Sequence, residues 1–249
     1  MSDQAQSAAV VRCFLSREHR CGYFADRVAR TRVLDPESPL LGAIYDQALA
    51  AGFRRSGPHL YRPQCPHCQA CIPTRLVVDR FRPDRSQQRC TRRNADLQFD
   101  ITPAGFDDEL YRLYRRYLEA RHAEGAENQG QPDDLRQLLT TPWTNTFLLR
   151  IFREGQLLAC AITDRQASSL SAVYTFFDPD QASRGLGVFA ILSQIEWARR
   201  EQLPYLYLGF WIDRHPKMSY KSRFQPLQVF SDQRWQDQVA APPGTPADV

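Results

Sequence analysis

Between residues 146 and 212 the order of apolar runs and breaks leaves the chain little choice of fold. TFLLRIF and LLACAIT flank Glu154-Gly155 and read as a hairpin, with LSAVYTFF as a third strand. A polar loop, DPDQASRGLG, then opens a helix whose apolar face is Val188, Ile191, Leu192 and Ile195. After Leu203-Pro204 comes YLYLGFWI, which reads as a strand buried on both faces. Three strands, a glycine loop, a helix and a further strand predict a compact mixed α/β (α+β) domain.

The preceding half reads differently. Residues 38–52 predict a helix, with Ser38 as its cap, Pro39 in its first turn, Gly52 at its end, and Leu41, Ile44, Tyr45 and Ala48 on one face. FRRSGPHLYRP predicts two short strands around Ser56-Gly57-Pro58, and a short apolar strand runs from Leu76 to Val78. Residues 106–121 predict an amphipathic helix. Phe106, Leu110, Leu113, Tyr114, Tyr117 and Leu118 form its apolar face, and Asp107, Asp108 and Glu109 lie in its first turn, where the helix dipole favours acids. HAEGAENQGQPDD after it reads as a mobile loop, a connector or a lid. The expected division is 1–100, 101–236 and a disordered tail over 237–249, rich in Ala, Pro, Gly and Asp.

At 249 residues and 43% hydrophobic, the chain can bury a core. No run approaches the ~18 apolar residues of a membrane span, and no basic start leads into an apolar block. A cytoplasmic protein without a membrane partner is expected. Of 32 basic residues only Lys217 and Lys221 are lysines, so the arginine excess reads as codon bias and not by itself as nucleic-acid binding. The two lysines, four residues apart, point more towards function.

Cys65, Cys68 and Cys71 stand at C-x-x-C-x-x-C spacing in YRPQCPHCQACIPTR. Thiolates at this spacing can converge on one metal ion, a structural zinc or an iron–sulfur cluster. Cys21, in CGYF, is the natural fourth ligand and His67 a weaker one; buried or merely exposed thiols are the plainer alternative. Six arginines, at 80, 82, 85, 89, 92 and 93, meet only Asp79 and Asp84 nearby. Such a stretch suits phosphate, by counterion release and bidentate contacts, or is a solvated helix face.

These blocks together resemble the aminoacyl-tRNA–protein transferase family, in particular its short bacterial branch. The resemblance runs from roughly Cys21 to Gln228. It is carried by CGYFADR, YRPQCPHCQACIPTRLVVDRFRPDRSQQR, SAVYTFFDPD, RGLGVFAILSQIEWARR, LPYLYLGFWI and KMSYKSRFQPL. It implies an N-terminal cysteine-bearing domain and a C-terminal GCN5-like acyltransferase domain. It also implies transfer of an aminoacyl group from tRNA to the α-amine of a protein beginning with Asp or Glu, which marks that protein for degradation. The group is leucyl in the short branch and arginyl in the eukaryotic one. Phe24 stands where the eukaryotic pattern has a second cysteine, which places the chain nearer the leucyl branch. The implied partners are leucyl-tRNA and acidic N-termini; no organic cofactor is implied.

An aminoacyl ester is already activated, and an α-amine of pKa ~8 is substantially neutral in the cell. Positioning and oxyanion stabilisation then suffice, by direct attack of the amine. The matched motifs offer Lys221, Tyr220 and Asp178 as catalytic candidates. Tyr61, Arg62, Arg75 and Arg223 are candidates for binding the acidic substrate, and Arg82, Arg85, Arg89, Arg184, Gly185 and Gly187 for tRNA. A coenzyme A-dependent acetyltransferase is a rival reading, but Ala182 occupies the first position of its loop motif and Gln181 is one residue out of register. A metal-stabilised RNA-binding module leaves the second half unexplained.

Overall fold

The computed structural model describes residues 10–121 and 130–238. The chain begins with β1 (Cys13–Leu15), β2 (His19–Arg20), β3 (Val28–Ala29), β4 (Thr31–Leu34), α1 (Leu41–Ala50), β5 (Arg54–Ser56) and β6 (His59–Pro63). It continues with β7 (Ile72–Val77), α2 (Arg85–Arg93), β8 (Gln98–Pro103), α3 (Asp108–Arg121) and α4 (Pro132–Leu139). The rest is β9 (Thr146–Arg153), β10 (Gln156–Arg165), β11 (Ser169–Phe177), α5 (Leu186–Arg200), β12 (Tyr205–Trp211), β13 (Leu227–Ser231) and β14 (Arg234–Asp237).

These elements make a mixed α+β architecture. An eight-stranded sheet has the order β14-β13-β7-β12-β11-β10-β9-β8, a four-stranded sheet the order β1-β4-β6-β5, and β2 pairs β3. In the large sheet only β11 and β12 run parallel, and α5 makes the crossover between them that a parallel pair requires. Alternate residues of β9, β10 and β12 face opposite sides, so both faces are covered. Leu149, Ile151, Ala159, Ala161, Leu206 and Leu208 pack with α2 and α5. Leu148, Cys160 and Ile162 pack with α3 and α4 on the other face. Tyr207 of β12 joins Leu41, Tyr45 and Leu49 of α1 and Leu60 of β6. The small sheet and α1 thereby sit on the large one.

The expected hairpin, third strand, helix and last strand stand where the sequence put them. Three expectations shift. The 38–52 helix contracts to Leu41–Ala50: the Ser38 hydroxyl accepts the Leu40 N–H at 3.3 Å in a preceding turn, and Leu40 opens the helix without a side-chain cap. The Leu76–Val78 strand is longer and earlier, Ile72–Val77, because it pairs with β12 on one side and β13 on the other. In HAEGAENQGQPDD, Pro132–Asp134 form the first turn of α4, with Asp134 accepting the N–H groups of Gly130 and Gln131 at 2.9 Å each; residues 122–129 lie outside the described residues. The residue-100 boundary falls inside β8, and the large sheet takes β7 and β8 from before it. Of the 237–249 tail, Asp237 closes β14 and pairs with Arg80, while 239–249 lie outside the described residues. Among the described residues no helix is long and apolar enough to cross a membrane.

One buried network ties the two sheets together. The Arg55 side chain is wholly inaccessible, and so is its partner Asp164 on β10, at 2.5 and 2.8 Å in a bidentate pair. Tyr45 and Thr146 each donate to the same carboxylate at 2.7 Å, and Arg55 also donates to the Gly57 and Leu138 carbonyls. Every oxygen of the buried acid is thus partnered, as a desolvated charge requires.

Candidate active site

Where β11 and β12 stop pairing, a cavity of about 560 Å³ opens towards the N-terminus of α5. Its apolar wall includes Phe177, Leu186, Val188, Ile191 and Leu208. Its polar groups come from both sides of residue 100: Tyr23 and Arg54 from before it, Tyr117, Arg121, Tyr174, Lys217, Tyr220 and Lys221 from after it. Four basic side chains line it, Arg54, Arg121, Lys217 and Lys221, and, among the described residues, no carboxylate does.

Lys221 is brought in by the 3-10 turn over Ser219–Arg223 and is only 4% exposed. Its ammonium nitrogen donates to the Phe210 carbonyl on β12. Burial, and then the Arg54 guanidinium nearby, push its pKa well below that of a free lysine, against a weaker opposing pull from Cys71. Tyr220 lines the mouth beside it. Tyr23 has its phenol pushed up by burial, with Arg54 opposing.

The loop before α5 is held from outside. Gly185 adopts φ +69°, and Gly185 and Gly187 both line the cavity. The Asn94 amide donates to the Arg184 carbonyl at 3.0 Å, the Cys90 thiol lies 3.6–3.7 Å from the carbonyl oxygens of Arg184 and Gly185, and Arg93 donates to the Ser183 carbonyl. All three belong to α2 or its end. The helix starts with a reciprocal capping box between Asp84 and Gln87, at 2.7 and 2.9 Å. Its outer face presents Arg85, Arg89 and Arg92, all exposed and without an ion-pair partner among the described residues. Arg223 is exposed near them, its carbonyl accepting from Gln87 at 3.0 Å.

The candidates from the sequence divide. Lys221, Tyr220, Gly185 and Gly187 come together at the cavity; Asp178, Tyr61, Arg62, Arg75 and Arg223 do not line it. Asp178 caps a separate 3-10 turn, Pro179–Arg184, at the Asp180 N–H and takes Arg116 at 2.8 Å. Tyr61 packs edge-on against Phe210. Arg62 donates to the Ala51 carbonyl and lies over Phe53 and Phe230. Arg75 is stacked between Tyr205 and Trp235, at 3.9 and 4.4 Å, and hydrogen-bonds Gln228 and Tyr207. Arg184 is committed to Asp96 through two bonds, 2.9 and 3.0 Å, and Arg82 to the Asp79 and Phe81 carbonyls. Sequence reasoning missed Arg54. Its one signal was Gly209, a glycine inside an otherwise apolar strand.

Cys21, Cys65, Cys68 and Cys71 line a second cavity of about 380 Å³. Cys68 accepts from Arg27 at 3.2 Å, and the Ala70 backbone N–H and then Arg27 lower its pKa. Burial and the three neighbouring thiols push Cys71 up to about 12. The donor set suits a thiophilic metal. Among the described residues, however, no three such side chains are placed to hold one. Cys71 packs with Phe210, Ile212 and Met218, which puts the thiol cavity directly behind the Lys221 site.

Comparison with known proteins bears on both cavities. Models of the arginine-tRNA-protein transferase N terminus and C terminus match residues 19–89 and 109–231. The aspartate/glutamate leucyltransferase of Stenotrophomonas maltophilia (strain K279a) is 54% identical over 233 residues, covering 91% of this chain and 93% of that protein. The proteins of that name from Xylella fastidiosa (strain 9a5c) and Teredinibacter turnerae are 52% and 46% identical, covering 89% and 91% of this chain and 90% and 94% of theirs.

Proposed function

The chain belongs to the arginine-tRNA-protein transferase family, on its aspartate/glutamate leucyltransferase side, and from that premise we propose that the Lys221 cavity is where leucine passes from leucyl-tRNA to a protein N-terminus. The reading rests on one observation: the cavity combines an apolar wall with four basic side chains and no carboxylate among the described residues. A leucyl side chain fits the wall. An arginyl side chain would enter a field of like charge and find no acid to pair with. An N-terminal Asp or Glu brings the negative charge that this field favours.

The α-amine attacks the ester carbonyl, the C–N bond forms, and the tRNA 3′-terminal ribose oxygen leaves. The attacking nitrogen must lose a proton, and Lys221, whose pKa burial lowers, is the group we assign to take it and pass it to the departing ribose oxygen. The N–H groups of Leu186 and Gly187 open α5 without partners in their own helix and face the developing negative charge or the 3′-end phosphate. The deciding experiment offers labelled leucyl-tRNA or arginyl-tRNA with peptides beginning Asp or Glu. Leucylated peptide, with arginyl transfer at least tenfold poorer, is expected. Efficient arginyl transfer, or none of either kind, would discard the reading.

The arginine face of α2 is the proposed track for the tRNA acceptor stem, since the same helix braces the glycine loop. Replacing both Arg85 and Arg89 by Ala should weaken tRNA binding and flatten the slope of log K against log salt by roughly 1.4–1.8, about 0.7–0.9 for each lost phosphate contact. An unchanged slope would return these arginines to a solvated surface.

A further inference from the structure

Arg54 sits where the two halves of the chain meet. It extends from β5 of the small sheet to the gap between β11 and β12 of the large one. Those two strands pair in parallel only from Ser169 with Tyr205 to Ser171 with Tyr207. Just past that point Arg54 donates from one terminal nitrogen to the Val173 carbonyl on β11, at 2.6 Å. On the other side, the register of β12 against β7 slips between Tyr207 and Gly209.

Gly209 has φ +75°, and a Cβ built there would lie 3.0 Å from the Arg54 Nη1 and 3.2 Å from its Cδ and Cζ. The strand has given up a side chain and its register to let this guanidinium through. The other four side-chain hydrogen bonds available to the group are unused among the described residues. Its Nε is buried without a partner, and a buried donor left unpaired is costly unless something else supplies the acceptor.

The other cations of the cavity are poorer readers of an acid. Arg121 and Lys217 are exposed at its rim. Lys221 is a compact amine already bonded to Phe210. Only Arg54 brings a planar fork to the floor, and a fork matches a carboxylate bidentately.

We propose that Arg54 is the specificity residue that reads the acidic side chain of the acceptor's first residue, an inference that rests on the transferase reading of this cavity. The guanidinium pairs with the β- or γ-carboxylate and so fixes the α-amine next to Lys221. An Asn or Gln at the same place presents an amide N–H₂ towards N–H donors and leaves the fork half unpaired. The first half of the chain thereby chooses the acceptor, while the second half carries the glycine loop and the amine.

The test is the ratio of kcat/KM for matched peptides beginning Asp and Asn, or Glu and Gln, at fixed leucyl-tRNA. Wild type, Arg54→Gln, Arg54→Lys and Gly209→Ala are compared. Wild type should favour the acid by roughly 100-fold or more, as a site built around a hydrogen-bonded group does. Arg54→Gln should collapse the ratio to within about threefold, with the loss falling on the KM of the acidic peptide. Arg54→Lys, keeping charge without the fork, should give an intermediate ratio. Gly209→Ala should lower the ratio with Arg54 still present, and it serves if the Arg54 variants do not fold. Equal losses on both peptides, with the wild-type ratio preserved, would show Arg54 to be a structural brace only. Wild type that transfers leucine to acidic and amide peptides alike also overturns the proposal while leaving the transferase reading intact. No transfer by wild type to any peptide removes the reading and the proposal together.

Discussion

Arg55→Met should lower the unfolding free energy by about 3–5 kcal/mol, because it strands Asp164 as a buried charge without its counterion. Neither side chain has any accessible surface, so water cannot relieve the loss without the core opening. The phenol of Tyr45, already pushed well above its usual range by burial and by Asp164, cannot supply a positive partner. The damage should not be local. Arg55 belongs to the small sheet and Asp164 to β10 of the large one, so both lose their tie. Urea unfolding should show one transition at a lower midpoint. The double variant Arg55→Met with Asp164→Leu should recover much of the loss, since an apolar pair of similar volume replaces the ionic one. A single-variant loss below about 1 kcal/mol would mean that the ion pair does not hold the halves together.

Lys221→Met should reduce kcat for leucyl transfer by roughly 10²–10⁴-fold, the range for losing a positioned proton acceptor. Its stability should move the other way or not at all. A lysine whose folded pKa lies below its unfolded value of 10.5 withholds stability at neutral pH, and stability rises as pH climbs from the lowered value towards 10.5. Methionine removes that dependence, so Tm at pH 7 should not fall. Lys221→Arg should lose activity as well, because a guanidinium stays protonated and cannot act as base. In the wild type, single-turnover transfer with saturating substrates should rise with pH through the lowered lysine value, and this limb should vanish in Lys221→Met. Retained kcat with an unchanged pH profile would remove Lys221 from the chemistry.

The neighbouring residues Arg54 and Arg55 show where sequence reading stops. They are adjacent in FRRSG, and on a strand adjacent side chains point to opposite faces. One enters the cavity and the other the buried network. Nothing in an arginine-rich chain distinguishes them, because both Asp164 and Gly209 lie more than 100 positions away. The strands of residues 146–212 were legible because each carries its own apolar run. α4 was not: Pro132–Leu139 is short, follows a polar stretch, and is held by Leu135 and Leu139 packing under the sheet. Lys221 and the glycine loop were singled out from long matched motifs, and the fold brings them to one cavity. Arg62 and Arg75 were drawn from the same motifs, yet aromatic faces and backbone carbonyls already claim their guanidinium groups. A motif says that a residue matters; only the fold says which way it points.

The interior place of β7, between β13 and β12, also governs how the protein can be made. On the ribosome Val77 emerges 128 residues ahead of its partner Tyr205, counting from the register that joins them (205 minus 77). At the usual ~5–20 residues per second, β7 waits roughly 6–26 s with both of its edges open. The waiting strand, IPTRLV, carries a proline and an arginine among its apolar residues, and these keep a nascent edge from recruiting a stranger. A ribosome that stalls before β12 releases a chain whose β7 has no neighbour, so truncated products should be cleared as aggregates or by proteases instead of surviving as a free-standing N-terminal domain.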